Sequence, residues 1–302
     1  MTVSPNPLAS PLAALSNALA DQVAAAAPRV VALHMRHGRH LTATVWRGDL
    51  IIASDQTLPR RDRFPVTLSD GTETEARVLG RDDTTNIALL RLDTDSHLDT
   101  PAAGVARTGA LALAVGARKD GAPSACLGVV NQSGPAWTSQ AGGRIDAYIK
   151  VDLGMAHAEE GGPVLDPEGG VVGVSTFGPR GSVIVIPHAT IERVIPLLES
   201  GTPQARGWLG AALQPVAVPE LADEAPSHGL MIMSVVADSP AARAGVLPGD
   251  IVIAFAGLPV RRGLRLAALL GPDSIGKPLD LRLVRGGAVQ TLTVTVTERP
   301  AE

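Results

Sequence analysis

Apolar positions recur at helical spacing near the start of the chain and then, from Pro28 onward, in short runs broken by turn formers. Ser10 and Pro11 form a cap and first-turn pair, and Leu12, Leu15, Leu19 and Val23 follow one helical turn apart. The spacing predicts a single amphipathic helix behind a loose tail over residues 1–9. Its opposite face carries no basic residue, so the stripe is expected to pack on the following domain and not on a membrane. From Pro28 the runs are rich in β-branched residues: Val30 to Leu33, Leu41 to Trp46, Leu50 to Ile52, Val66 to Leu68, Arg77 to Leu79 and Ile87 to Leu92. Further runs follow at Ala110 to Val115, Ala125 to Val130, Ala147 to Val151, Val171 to Thr176 and Val183 to Ile186. Strand-length runs separated by turns signal an antiparallel barrel or sandwich, and about a dozen of them suit two small barrels packed together. His188 to Glu199 then predicts a helix with Ile191, Val194, Ile195 and Leu198 on one side.

Gly201 to Gln204 marks a boundary, beyond which lies a unit of roughly 95 residues, within the range of a small domain. Its expected strands are Leu209 to Leu213, Gly229 to Val236, Ile251 to Phe255, Leu279 to Val284 and Gln290 to Thr297. One helix, Pro240 to Ala244, is capped by Ser239 and ended by Gly245; a longer one lies around Leu264 to Leu270. The expected division is thus a tail and helix over 1–27, a barrel domain over 28–200 and a second domain over 201–302.

Composition narrows the picture. Net charge is −4 with acids and bases interspersed, which offers no basic face to nucleic acid or to an anionic membrane. Aromatics make up 2% of the chain, so Ala, Val and Leu must fill the core and stacking platforms for bases are scarce. The lone Cys126 has no disulfide partner or ligand-spaced neighbours and is expected to be core filler. No Lys or Arg precedes Arg29, and polar residues interrupt the early apolar stretch, so no signal peptide is read. A cytoplasmic location is the expectation, periplasmic or cell-envelope if the true start differs. No run reaches the ~18 apolar residues of a membrane span, and no cofactor is expected.

The turn Ala158-Glu159-Glu160-Gly161-Gly162-Pro163 leads into an apolar pair, turn residues from Asp166 to Gly170, and the run Val171-Val172-Gly173-Val174. Paired glycines let backbone bend where a side chain would block close approach. Further on, Val235-Val236-Ala237-Asp238-Ser239-Pro240-Ala241-Ala242-Arg243-Ala244-Gly245 leads to Gly249-Asp250-Ile251-Val252. Together these stretches resemble the HtrA family, a trypsin-like protease domain followed by a PDZ domain, over nearly all of residues 10–299. The resemblance implies a mainly β fold: a trypsin-like double β-barrel, then a small PDZ barrel with two helices.

A serine protease needs a hydroxyl nucleophile, an imidazole base, a carboxylate to orient it and N–H groups for the oxyanion. The resemblance places Gln56 at the base, Asn86 at the carboxylate and Glu160 at the nucleophile. An amide does not accept a proton near neutral pH, and a carboxylate at the nucleophile position repels the developing oxyanion. Ala158 stands where the family has a glycine whose N–H helps form the oxyanion hole, so Ala158, Glu159, Glu160 and Gly161 make an altered oxyanion loop. Ser54 and Ser175 lie near by, but neither sits on the tight turn. The expectation is therefore a pseudoprotease with no catalytic residue.

Other constellations carry plainer expectations. His34, His37 and His40 alternate faces on a strand and suggest a polar hairpin tip turning at Gly38, not a zinc site. His157, Glu159 and Glu160 share one loop, where they suit a salt bridge or weak ion site, and the Glu159-Glu160 pair is expected to present negative charge into the groove; no metal is assigned. By the resemblance, Gly207, Trp208, Leu209 and Gly210 correspond to the PDZ loop that receives a peptide carboxylate. Ala211 and Leu213 lie on the strand beside which a peptide would add, and Leu266 and Leu270 wall the groove.

The resulting functional expectation is an inactive HtrA-like scaffold, chaperone or regulator that binds peptides or protein C-termini. The alternatives are an active serine endopeptidase in protein quality control, and a structural subunit in a mixed oligomer with an active HtrA-like relative. The resemblance makes a homo-trimer possible, while nucleic acid and membrane are not expected partners.

Overall fold

The runs after Pro28 pair antiparallel and close into two six-stranded barrels. The first uses β1 (Val30–His34), β2 (His40–Arg47), β3 (Leu50–Ser54), β4 (Arg63–Thr67), β5 (Glu73–Asp82) and β6 (Ile87–Leu92). They run in the order β1-β2-β3-β6-β5-β4, with β4 returning to β1. The second uses β7 (Leu111–Ala117), β8 (Pro123–Gly134), β9 (Tyr148–Asp152), β10 (Pro163–Leu165), β11 (Val171–Phe177) and β12 (Val183–Pro187). Their order is β9-β12-β11-β10-β7-β8, closed where β8 meets β9. The hydrophobic pattern does not announce β10, because three residues are too few for alternation to register. It also understates β5, whose outward face is partly exposed.

The computed structural model describes residues 10–139, 141–201, 207–218, 228–260, 270–271 and 274–298. The chain divides into two units, Met1–Trp137 with Ile145–Thr202, and Thr138–Arg144 with Pro203–Glu302.

Strands β1, β3, β6 and β12 read as continuous apolar runs because both of their faces are buried. On β1, Val31 and Leu33 join Phe64 and Leu90 inside the first barrel. Val30 and Ala32 face the other way, into a layer with Trp46, Ile52 and Leu89 that packs on Val115 and Ile186 of the second barrel. The helix α2 (His188–Glu199) closes this layer with Ile191, Val194, Ile195 and Leu198, its predicted apolar side. A third cluster, including Ala114, Ile149, Val164 and Val185, fills the second barrel. Trp46 is fully buried in the shared layer and its Nε1–H donates to Glu192 of α2.

The N-terminal helix α1 (Pro11–Ala26) meets expectation in its second half: Leu19 and Val23 pack against the shared layer. Leu12 and Leu15 are 74% and 44% exposed, so the stripe is covered at one end only. No helix among the described residues is long and apolar enough to cross a membrane.

The second unit is a sheet ordered β13 (Ala211–Ala217), β14 (His228–Val235), β15 (Ile251–Phe255), β16 (Pro278–Arg285) and β17 (Ala288–Thr295). At one end of this order β13 is an edge strand, and it contains Pro215, a residue sheets tolerate at edges because it donates no N–H. The short helix α3 (Pro240–Arg243) is capped as the sequence predicts: Ser239 Oγ accepts from the Ala242 N–H at 3.2 Å. Phe255, Leu283 and Val294 lie at the centre of its core. Of the second predicted helix, residues 264–269 lie outside the described residues.

A forked ion pair anchors the loop before β15. Asp250, 2% exposed, accepts Arg285 Nε at 2.8 Å and Nη2 at 2.7 Å, and the Leu247 N–H at 2.8 Å. Burial pushes the Asp250 carboxyl up, but the Arg285 fork and the Leu247 N–H outweigh it and hold the group below its ordinary range. A depressed carboxyl stabilises the fold above its unfolded pKa of about 3.9 and loses that contribution as pH falls through the folded value. Asp250→Asn is expected to lower hydrogen-exchange protection of β14 to β16 at pH 7. It should also flatten the loss of protection between roughly pH 5 and 2; an unchanged acid profile would contradict the assignment.

Candidate functional site

The three positions singled out by the resemblance come together in the cleft between the two barrels. Gln56 follows β3, Asn86 precedes β6, and Glu160 lies on the loop before β10. Each is placed by a local anchor. Asp55, beside Gln56, is 5% exposed and accepts Arg81 Nη1 at 2.8 Å, while Arg81 Nη2 donates to Pro59 O at 2.6 Å, which pins the β3–β4 loop. Asp82 accepts from the Thr84 N–H at 3.0 Å and the Thr85 hydroxyl at 2.5 Å, folding the turn that carries Asn86. Asn86 has φ 62°, a left-handed conformation that Asn tolerates better than most residues.

Glu160 sits on a loop held by the first barrel. Thr42 Oγ1 donates to Ala158 O at 2.8 Å and Thr44 Oγ1 to Gly161 O at 2.7 Å. The paired glycines are required by this close approach. A Cβ on Gly161, at φ +97°, would lie 2.2 Å from Thr42 O, and one on Gly162 would lie 2.0 Å from Val115 O. The N–H groups of Glu160, Gly161 and Gly162 turn back onto His157 O, Ser175 O and Glu159 O at 3.4, 3.0 and 3.2 Å.

The Glu160 carboxyl is 1% exposed and is the acceptor at the centre of the cleft. Its Oε1 receives Ser54 Oγ at 2.7 Å, Gln56 Nε2 at 2.7 Å, Thr176 Oγ1 at 2.8 Å and the Phe177 N–H at 3.4 Å. Asn86 Nδ2 donates to Ser54 Oγ at 3.0 Å and Thr176 Oγ1 at 2.8 Å, and its Oδ1 accepts the Gln56 N–H at 2.7 Å. Gln56 is the exposed member of the cluster and Asn86 is partly exposed; Gln56 Nε2 also donates to Phe177 O at 2.9 Å.

Two members of this cluster escape a linear reading. Nothing in the linear pattern marks Thr176, and Ser54 lies off the tight turn. On β11, Ser175 and Thr176 face opposite ways. Ser175, fully buried, donates to Gly162 O at 3.1 Å, whereas Thr176 faces Glu160. Only β-strand alternation combined with the barrel pairing reveals this.

Glu159 does not join Glu160. It accepts Ser124 Oγ at 2.8 Å and the Ala156 N–H at 2.8 Å, and lies 3.4 Å from Cys126 Sγ. Burial first, and then the Glu159 charge, push the Cys126 thiol up to about 11. The His157 ring packs on Phe177 with centroids 4.6 Å apart. The short 3-10 turn at His157–Glu159 thus sends neighbouring side chains to different sides. The expected paired negative charge in the groove is corrected: Glu160 points inward and Glu159 points to β8. Of the histidines, His34 meets Thr67 Oγ1 at 2.7 Å and His40 meets Ala117 O at 3.1 Å, separate partners on a hairpin that turns through Arg36–Gly38.

In the second unit, Gly207 and Trp208 pair with Glu298 and Thr297. The Gly207 N–H donates to Leu270 O at 2.9 Å, which brings the loop against Leu270. Gly210 has φ +73°, and a Cβ there would lie 2.2 Å from Ser239 Cβ. Leu209 and Leu270 are buried, with Ala211 and Leu213 packed against the same cluster. Leu266 lies outside the described residues.

Comparison with known proteins now places the chain. Residues 41–174 match a trypsin-like peptidase domain and residues 207–296 a PDZ domain, so the chain carries a trypsin-like fold followed by a PDZ domain. Over both domains it is similar to proteins of the HtrA/DegP type. A probable periplasmic serine endoprotease, DegP-like, of Rhizobium meliloti (strain 1021) is 28% identical over 264 residues, covering 83% of this chain and 52% of the relative. The protein of the same name from Pseudomonas savastanoi pv. phaseolicola is 30% identical over 267 residues, covering 83% and 54%. The chain spans about half the length of the curated relatives it matches. Among solved structures, the HtrA-type protease AlgW with a tripeptide is 25% identical, with a TM-score of 0.66 and coverage of 94% of this chain and 98% of that one. AlgW with a decapeptide gives a TM-score of 0.67 at 23% identity, with coverage of 94% and 99%.

These names correct two expectations. The relatives are called serine endoproteases, against the expectation of a protein that is not an enzyme. That expectation rested on Gln56, Asn86 and Glu160 taken together at the three aligned positions. The relatives are also called periplasmic, against the cytoplasmic expectation; the charge pattern of residues 1–29 does not determine location.

Glu160→Ala strips the shared acceptor from the buried Ser54 and Thr176 hydroxyls and is expected to destabilise the first unit by about 2–4 kcal/mol. Glu160→Gln keeps an amide oxygen for the same donors and should cost roughly half that or less. Urea unfolding of the two variants checks the ranking, and equal losses would contradict a hydrogen-bonding role for Oε1.

Proposed function

We propose that this chain is an HtrA-type serine endoprotease of the periplasm, acting in protein quality control on polypeptides whose C-termini its PDZ domain captures. One observation carries this reading: similarity to proteins named periplasmic serine endoproteases runs through both domains, over 83% of the chain.

The cleft places a specific demand on the chemistry. Gln56, Asn86 and Glu160 supply neither the imidazole nor the turn serine of a Ser-His-Asp triad. Hydrolysis must therefore draw on a hydroxyl of this cluster. Ser54 is the best placed, since its Oγ is within hydrogen-bond distance of Glu160, the acceptor for its proton, and of Asn86 Nδ2. Ser54 is 2% exposed, so a substrate carbonyl reaches it by displacing the Gln56 side chain that covers the cluster.

The capture step rests on β13. A peptide would add as a further strand along this edge, with its apolar last side chain toward Leu213 and Leu270 and its carboxylate at the N–H groups of Leu209 and Gly210. Gly207 serves a different purpose in this reading, since its N–H is held by Leu270 O.

Purified protein is expected to cleave casein, and Ser54→Ala to lower the rate by a factor on the order of 10⁴. No cleavage by the unaltered chain, or cleavage indifferent to Ser54→Ala, would overturn the catalytic assignment. Peptides with free apolar C-termini should bind the chain, and amidating them should weaken binding about tenfold or more through loss of charge-assisted hydrogen bonds. Equal affinity of acid and amide in a titration would sink the groove assignment.

A further inference from the structure

Beside the cleft, at the β1–β2 hairpin, the first barrel carries a cavity of about 420 Å³, a size that admits a small ligand or a few side chains. Its walls include Arg36, Arg39, Arg60 and Arg61 together with His37, an excess of positive charge in a chain whose net charge is −4. Met35, Leu41 and Pro59 add apolar surface to its lining. Two lining residues lead directly into the candidate site: Leu41 precedes Thr42, which holds the Glu160 loop, and Thr57 follows Gln56.

The arginines are not all engaged in holding the fold. Arg61 is structural: its Nη2 donates to His34 O at 2.7 Å, and its guanidinium stacks on the Phe64 ring at 4.3 Å. Its Nε is buried without a hydrogen-bond partner among the described residues. Arg60 shares Asp55, at 3.3 Å, with Arg81. Arg36 and Arg39 are exposed on the hairpin, with no ion pair among the described residues. Several guanidiniums and apolar surface in one cavity lining, two of the guanidiniums uncommitted, suit a ligand that brings carboxylates and an apolar side chain together.

We propose that this cavity binds acidic stretches of an extended polypeptide next to the cleft, selecting chains that carry Asp or Glu beside an apolar residue. The proposal rests on the reading that the first unit acts on polypeptide chains. It concerns binding, so it stands or falls independently of whether Ser54 cleaves them. A bare anion would use the guanidiniums but leave the apolar surface uncovered, which is why a peptide is favoured over free phosphate.

The test uses the full chain and two C-terminally amidated peptides, which keeps PDZ capture from contributing. One carries Glu residues flanking Leu; the other has Gln in place of each Glu. Calorimetric titration at low salt is expected to show the acidic peptide binding about tenfold or more tightly. The double variant Arg36→Ser, Arg39→Ser, which leaves the ion pairs of the fold in place, should abolish the preference. Equal affinity for the two peptides, or a preference that survives in the double variant, would overturn the proposal. So would inorganic phosphate displacing the acidic peptide at the peptide's own concentration.

Discussion

A carboxyl group removed from water has to be surrounded by donors, and Glu160, 1% exposed, imposes that condition on the whole cleft between the barrels. Ser54 and Gln56 approach it from the first barrel, Thr176 and the Phe177 N–H from the second. The two barrels can meet this demand only at one relative placement, because hydrogen bonds of this length tolerate little displacement. The shared apolar layer of Trp46, Ile52, Ile186 and Ile195 supplies most of the burial, and the Glu160 network specifies the register in which that layer forms.

The same network shapes what the cleft offers to a polypeptide. Its hydroxyls and amides are turned inward, Gln56 covers them, and the Glu160 loop closes its own N–H groups onto protein carbonyls. The buried Ser54 and Glu160 thus lie inside a hydrogen-bonded network. The PDZ unit presents the opposite situation. Its edge strand β13 has hydrogen-bonding groups on one side that no strand of the sheet takes up among the described residues.

Much of the fold was legible along the chain. The β-branched runs, the helix at His188–Glu199 with its apolar side and the capped turn at Pro240–Arg243 appear where periodicity and capping residues put them. The strand Pro163–Leu165 escaped because a three-residue strand carries no period. The candidate site was legible in part: Gln56, Asn86 and Glu160 were found through resemblance. Thr176 was not, since adjacent Ser175 and Thr176 look alike until strand alternation assigns one to Gly162 and the other to the cleft. Glu159 and Glu160 seemed a pair for the same reason, and the tight turn separates them.

By itself, the sequence determined the class of fold, two β-barrels and a PDZ domain, and pointed through resemblance to Gln56, Asn86 and Glu160 as candidate positions. These follow from local propensity, spacing and resemblance, which are properties of neighbours along the chain. Only the tertiary structure decided where the side chains point: that Glu160 is buried and not presented to solvent, that Ser54 lies against it, and that the hairpin arginines line one cavity with Met35 and Leu41. Burial and hydrogen-bond geometry depend on segments more than a hundred residues apart, such as Ser54 and Glu160, and no local pattern encodes that meeting.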